Sequence, residues 1–350
     1  MNLKIRQLAF RKETTQDQKN IIILFSYPCC LEHSVQPDSK PFENHTMTEE
    51  TMEMKKEESN LVSIRGTQCF IHRWEAADAS SPKALIVLYH GFGAHGAYPT
   101  VRYAAEFFSQ AGYAVVAFDF PGHGRSEGIP GYLKSSDDLI EDGITMAEHA
   151  QSLYGRSSSS NNNSLPLVLC GSSMGGAIAL LVAHRLGETS GNAIPLVILM
   201  APMLKLNVSS LEHNALHLLN YVAPTARLIP SSATDGSKQY RDDKKRKECD
   251  NDSLCGTPGA YLRVGSALAC VDTAFNVAQV FESITNPYLL LIADEDVVVK
   301  NEGAEDFHRK SPSKDKTKMH YPALHGLLCE PSPLFETIKA DALDWLEKRI

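Results

Sequence analysis

PLVLCGSSMGGAIALLVAHRL, residues 166–186, runs a continuous apolar stretch into a glycine-rich turn and then directly into a second apolar stretch. The join reads Gly171-Ser172-Ser173-Met174-Gly175, and only Ser173 has glycine two places away on both sides. A G-x-S-x-G turn of this kind sits between a strand and a helix, on a strained corner that projects the serine hydroxyl into a cleft. The flanking glycines carry no Cβ, so strand and helix can approach closely there. The helix amino end beneath the serine favours negative charge.

Outward from this corner, short apolar runs alternate with helical stretches. Strands are expected at 69–75, 84–90, 113–119, 165–170, 195–200, 288–293 and 316–321, and helices at 97–111, 137–154, 175–186 and 333–348. Runs such as ALIVLY and PLVLC are apolar at every position, as strands are when helices cover both faces of a sheet. The fold class is therefore α/β, a doubly wound and mostly parallel sheet. Together with the serine corner this points to an α/β-hydrolase fold. Between about 203 and 282 no buried strand is expected, and the segment reads as an inserted helical cap over the carboxyl ends of the strands, where open α/β sheets bind ligands. Residues 59–350 form this domain. Residues 1–58 read as a disordered tail, because 44–59 (NHTMTEETMEMKKEES) has little to bury.

Composition bounds the partners. The formal net charge is −8, with no basic face of the kind that nucleic acid requires. The mixed run 238–248 (KQYRDDKKRKE) nearly cancels and reads as solvated surface. Eight cysteines show no zinc spacing, so neither metal nor cofactor is expected, although Cys249 and Cys255 are near enough in sequence to pair. A reducing, cytoplasmic setting is the default. The apolar run 21–30 is short for a bilayer span and lacks a clean cleavage site.

A serine nucleophile needs an acid, a base and oxyanion donors. In this order of chain elements the acid and histidine follow the serine. The strand 288–293 ends in Asp294-Glu295-Asp296; Asp296 is preferred, because a short turn must precede a carboxylate that reaches back, and Asp294 is the alternative. Of three downstream histidines, His308 falls in a helix and His320 in a strand, while His325 lies in a loop after the last strand and is the expected base. Oxyanion donors are expected from the N–H of Met174, next to the nucleophile, and of Phe92 in His90-Gly91-Phe92-Gly93 after an earlier strand. His123 precedes the nucleophile and reads as structural support.

These motifs resemble those of the monoacylglycerol lipase-like serine hydrolases, particularly the plant and algal branch. The resemblance spans about 61–350 and rests on HGFG (90–93), AFDFPGHGRSEG (117–128), GSSMGG (171–176), APM (201–203) and SKDKTKMHYPALHGLLCEP (313–331). It places the base role on His325 and the acid role on Asp296. It implies hydrolysis of a carboxylic ester through an acyl-enzyme, with monoacylglycerol as substrate and a mobile cap that takes lipid from a membrane surface, so that the protein is peripheral to membranes. Leu216, Leu218, Leu219, Tyr221 and Val222 either line that entrance or pack the cap onto the core. The family's His-Gly before the acid turn is replaced here by Ile292-Ala293, and Gly93-Ala94-His95-Gly96 supplies neither the glutamate nor the arginine with which the animal branch holds glycerol. A lysophospholipid, a small aromatic ester, or acyl transfer to another alcohol are the alternatives; a non-catalytic binding role is opposed by the intact serine, histidine and carboxylate.

Overall fold

A computed structural model describes residues 60–154, 165–189, 194–231, 235–256 and 261–350. The tail 1–58, with Cys29 and Cys30, and the Ser/Asn run 157–164 lie outside the described residues.

Strands β1 (Leu61–Ile64), β2 (Thr67–Trp74), β3 (Leu85–Tyr89), β4 (Ala114–Phe118), β5 (Leu167–Ser172), β6 (Leu196–Met200), β9 (Tyr288–Ala293) and β10 (Lys316–Tyr321) form one sheet, in the order β1-β2-β4-β3-β5-β6-β9-β10. Only β2 runs against its neighbours. A separate two-stranded ribbon pairs β7 (Arg227–Ile229) with β8 (Leu262–Arg263). The helices are α1 (Pro99–Gln110), α2 (Ser136–Tyr154), α3 (Met174–Thr189), α4 (Ser210–Val222), α5 (Gly236–Gln239), α6 (Asp243–Asp250), α7 (Val264–Gln279), α8 (Asn301–Lys310) and α9 (Leu334–Glu347).

Side chains alternate across a strand, and here both faces are apolar because both are covered. Leu85, Val87 and Tyr89 of β3 join a core with α2, α3, α7 and α8. Ile86 and Leu88 join the opposite core with α1 and α9. The same split divides Tyr288, Leu290 and Ile292 from Leu289, Leu291 and Ala293 in β9.

β1 was not expected. It is a four-residue edge strand with one fully buried side chain, Ile64, so it carries no apolar run. Its hairpin to β2 turns at Arg65 (φ 48°) and Gly66 (φ 88°), the backbone of a two-residue I′ turn.

The span read as a cap, 203–282, has two characters. Helix α4 opens with a capping box between Ser209 and Glu212 and buries none of its residues. Helix α7 is buried along most of its length and belongs to the core. The Cys249–Cys255 pairing is not what the structure brings together. Cys249 Sγ lies 3.9 Å from Cys329 Sγ, both thiols free and buried, because α6 folds back against the segment after His325.

Candidate active site

The corner at Ser173 is fixed by sterics. A Cβ on Gly171 would stand 2.1 Å from the Gly175 carbonyl oxygen, and one on Gly175 would stand 2.0 Å from that of Tyr89. Both contacts are far inside van der Waals range, so neither position admits a side chain. Ser173 adopts φ 55°, a left-handed conformation that costs a non-glycine residue on the order of 1–3 kcal/mol. The surrounding backbone holds it there. Its N–H donates to Met200 O (3.1 Å), and its carbonyl accepts from Met203 N (2.8 Å) and Gly176 N (3.0 Å). The APM segment thus clasps the corner from β6.

Beside it, the β3 end approaches so closely that a Cβ on Gly91 would lie 3.4 Å from Ser173 Cβ. Phe92 and Met174, the expected oxyanion donors, therefore follow two chain segments that meet at the serine. Among the described residues no backbone carbonyl takes up either N–H.

His90 shapes this loop. It is fully buried; Phe120 N–H donates to its Nε2 (3.0 Å), so the proton sits on Nδ1, which donates to Gly91 O (2.8 Å). Burial, with nearby His123 adding to it, pushes the imidazole down to about 3. A base so depressed binds its proton in the unfolded chain below about pH 6.5 but not in the native one. Its contribution is complete above pH 6.5 and is lost as pH falls from there toward 3. Thermal midpoints measured between pH 7 and pH 4 should therefore fall steeply in the wild type and less steeply in His90→Asn; equal slopes would contradict this role.

Beneath the loop, Asp119 is fully buried. Burial alone would raise its carboxyl, but His72 (2.8 Å) and the N–H groups of Arg125 (2.8 Å) and Gly96 (2.6 Å) outweigh it and hold the group at about 2. His123 donates from Nδ1 to Pro121 O (3.1 Å) and sets its ring edge-on to Phe92.

The acid and base candidates come from β9 and the loop after β10. The two strands are parallel, with Ala293 opposite Tyr321, and the backbone stays paired past their ends through Asp294 N to Tyr321 O and Glu295 N to Ala323 O. The chain then turns back, and the Asp296 carboxylate points inward. Its Oδ1 accepts from Val298 N (2.7 Å) and Val299 N (3.0 Å), and its Oδ2 lies 2.6 Å from His325 Nδ1. The pair is nearly inaccessible, with side-chain exposures of 0% and 4%. Asp294, the alternative, reaches out to His320 instead (2.7 Å), and both of those are well exposed. Among the described residues no hydrogen bond joins Ser173 Oγ to His325; in ligand-free sites such bonds are often long.

Three further residues support the His325 loop and escaped the sequence reading. Glu330 is buried, and its Oε1 accepts Leu324 N–H (2.7 Å) while Arg241 pairs with its other oxygen (3.2 Å). Burial raises its carboxyl against those two partners. Lys245 donates to Leu328 O and Glu330 O. Arg241 and Lys245 come from the run 238–248 that charge alone marked as plain solvated surface. Lys238, Lys244 and Lys247 are exposed as expected, whereas Lys245 on α6 and Arg241 just before it turn to the segment after His325.

Strand order, a serine corner after β5, and an Asp–His pair at the ends of later parallel strands define an α/β-hydrolase. Residues 80–332 match the family described as serine aminopeptidase, S33, and the chain belongs to that family. It is 30% identical to a monoglyceride lipase of Rattus norvegicus, across 83% of this chain and 90% of that one. It is 24% identical to a caffeoylshikimate esterase of Arabidopsis thaliana, across 77% and 79% of the two. Its fold matches a soluble variant of monoglyceride lipase from Saccharomyces cerevisiae, solved with a substrate analog, at a TM-score of 0.70 and 21% identity over 82% of this chain and 94% of the other.

Proposed function

We propose that this protein hydrolyses monoacylglycerol to a fatty acid and glycerol through an acyl-enzyme on Ser173. The observation that carries the reading is the buried 2.6 Å contact between Asp296 and His325 at the carboxyl ends of strands parallel to the one that leads into the serine corner. With Nδ1 engaged by the carboxylate, Nε2 is the atom left to accept the Ser173 proton. The serine oxygen attacks the ester carbonyl carbon, and the N–H groups of Phe92 and Met174 receive the oxyanion. Collapse breaks the bond to the alcohol oxygen, which takes the proton from His325. Water, deprotonated by the same imidazole, then adds to the acyl-enzyme and releases the acid. No step calls for a metal or a cofactor.

The cap suits an apolar substrate. Leu211, Leu218, Tyr221 and Val222 of α4 are exposed at 79%, 72%, 88% and 69%, while Leu216 and Leu219 are half-buried. The first group fits contact with a lipid surface and the second fits packing, so the expected entrance residues divide between the two roles. Among the described residues no helix is long and apolar enough to cross a membrane. A cytoplasmic protein that touches membranes at its periphery through α4 accommodates both facts.

A small aromatic ester is the second reading, favoured by the similarity to the caffeoylshikimate esterase. A panel of monooleoylglycerol, lysophosphatidylcholine and a hydroxycinnamate ester separates them. The highest kcat/KM is expected for monooleoylglycerol, and the reverse order would overturn the assignment. Leu218→Ser with Tyr221→Ser should slow hydrolysis of vesicle-borne monooleoylglycerol several-fold and leave a soluble short-chain ester unchanged.

A further inference from the structure

We propose that His213, His217 and Asp272 form a binding site for a divalent transition-metal ion of the zinc type, which fastens the exposed cap helix to the core. His213 and His217 stand one turn apart on α4, so their imidazoles leave the same face of the helix. Asp272 comes from α7, the buried helix beneath. His213 Nε2 lies 2.6 Å from Asp272 Oδ1, the two Nε2 atoms lie 3.1 Å apart, and His217 Nε2 lies 3.8 Å from the same oxygen. Three atoms at those separations lie on a circle of radius about 1.9 Å. An ion standing about 0.9 Å out of their plane is then about 2.1 Å from each, the ordinary zinc–imidazole and zinc–carboxylate distance. The three donors can thus reach one ion at ordinary distances, with the hydrogen-bonded His213–Asp272 pair opening by less than about 1 Å to make room for it.

The donor chemistry agrees with the spacing. Two imidazoles and one carboxylate suit zinc, copper, nickel or cobalt, whereas calcium and magnesium take oxygen ligands. The His213 ring is fixed by stacking on Phe275, 4.7 Å between centroids and 10° from parallel. His217 is 53% exposed, so the remaining coordination positions open to water. His213 Nε2 holds one proton at most yet faces both Asp272 Oδ1 and His217 Nε2, and a single ion can serve both contacts.

Two other clusters have metal-like composition, His72 with His95 and Asp119, and His95 with Asp252 and Cys255. Buried hydrogen bonds tie both to the surrounding backbone. His95 Nδ1 accepts Ala97 N–H, and Asp119 accepts two backbone N–H groups. They brace the loop beside Ser173.

The consequence concerns α4. It buries no residue of its own, so a metal shared with Asp272 would be a strong bond between this helix and the core.

The test is calorimetric titration of the full chain with zinc(II), with thiols kept reduced by a phosphine, alongside cobalt(II) absorption. One ion per chain is expected, with binding weakened at least about tenfold in His217→Ala and in Asp272→Asn. Metal-free ester hydrolysis by His217→Ala should equal that of the wild type. The cobalt adduct should show d–d bands without a thiolate charge-transfer band. Equal zinc binding by wild type and both variants, no binding at millimolar zinc, or a thiolate band that disappears in Cys255→Ser would each overturn the proposal.

Discussion

Asp296→Asn is expected to lower kcat by about 10⁴-fold, while Asp294→Asn changes it by no more than a few-fold. The two side chains leave the same strand end two residues apart, yet only one is buried against His325. An amide at 296 still accepts Val298 N–H and Val299 N–H, so the turn survives. It no longer carries the charge that stabilises an imidazolium, and it can present an N–H to Nδ1, which would move the ring proton to the wrong nitrogen. At 294 the substitution only loosens an exposed pair with His320, and exposed pairs contribute little. Steady-state kinetics on both variants checks this. A large loss at 294 with retention at 296 would reverse the assignment of the acid.

Gly175→Ala should cost about 3 kcal/mol or more and abolish measurable turnover. The added methyl would stand 2.0 Å from Tyr89 O and 2.8 Å from His90 O, both backbone atoms. Tyr89 belongs to a strand paired on both sides, so it cannot yield without breaking the sheet ladder. Overpacking of this kind typically costs 1–3 kcal/mol, and fixed backbone neighbours place it at the top of that range. The first turn of α3 would shift instead, carrying the Met174 N–H away from the position expected for an oxyanion donor. Gly187→Ala is the control. It lies on the same helix with nothing within 4 Å, so there alanine's helix preference should leave stability equal or slightly higher. Thermal unfolding of both variants measures the contrast, and a Gly175→Ala protein as stable as wild type would contradict the steric account.

Much of the fold was legible because burial on both faces writes itself into sequence. β3, β5 and β9 are continuous apolar runs, and each lies within a residue or two of its expected place. β1 was silent since an edge strand buries only Ile64. The serine corner was legible because it demands glycine at fixed offsets, and the structure shows the contacts that impose them. Which carboxylate meets His325 was only half legible. Asp294 and Asp296 both follow β9, and what separates them is a turn held by Val298 and Val299 N–H groups, which no pattern of side chains announces. Glu330 and Arg241 were illegible for a related reason, since their roles depend on α6 folding back onto the histidine loop. The cap boundary was blurred because α7 is apolar like a core helix but sits in the chain next to the exposed α4. The convergence of His213, His217 and Asp272 depends on two helices about 55 residues apart in sequence meeting at one turn, a long-range fact.

The most direct test of the central claim is fluorophosphonate labelling of the full chain, with the modified peptide read by mass spectrometry. A single adduct on Ser173 is expected, absent from Ser173→Ala, lost on prior incubation with a monoacylglycerol-mimicking inhibitor, and retained in Ser172→Ala. An unlabelled wild type, an adduct on Ser172, or equal labelling of Ser173→Ala would contradict it.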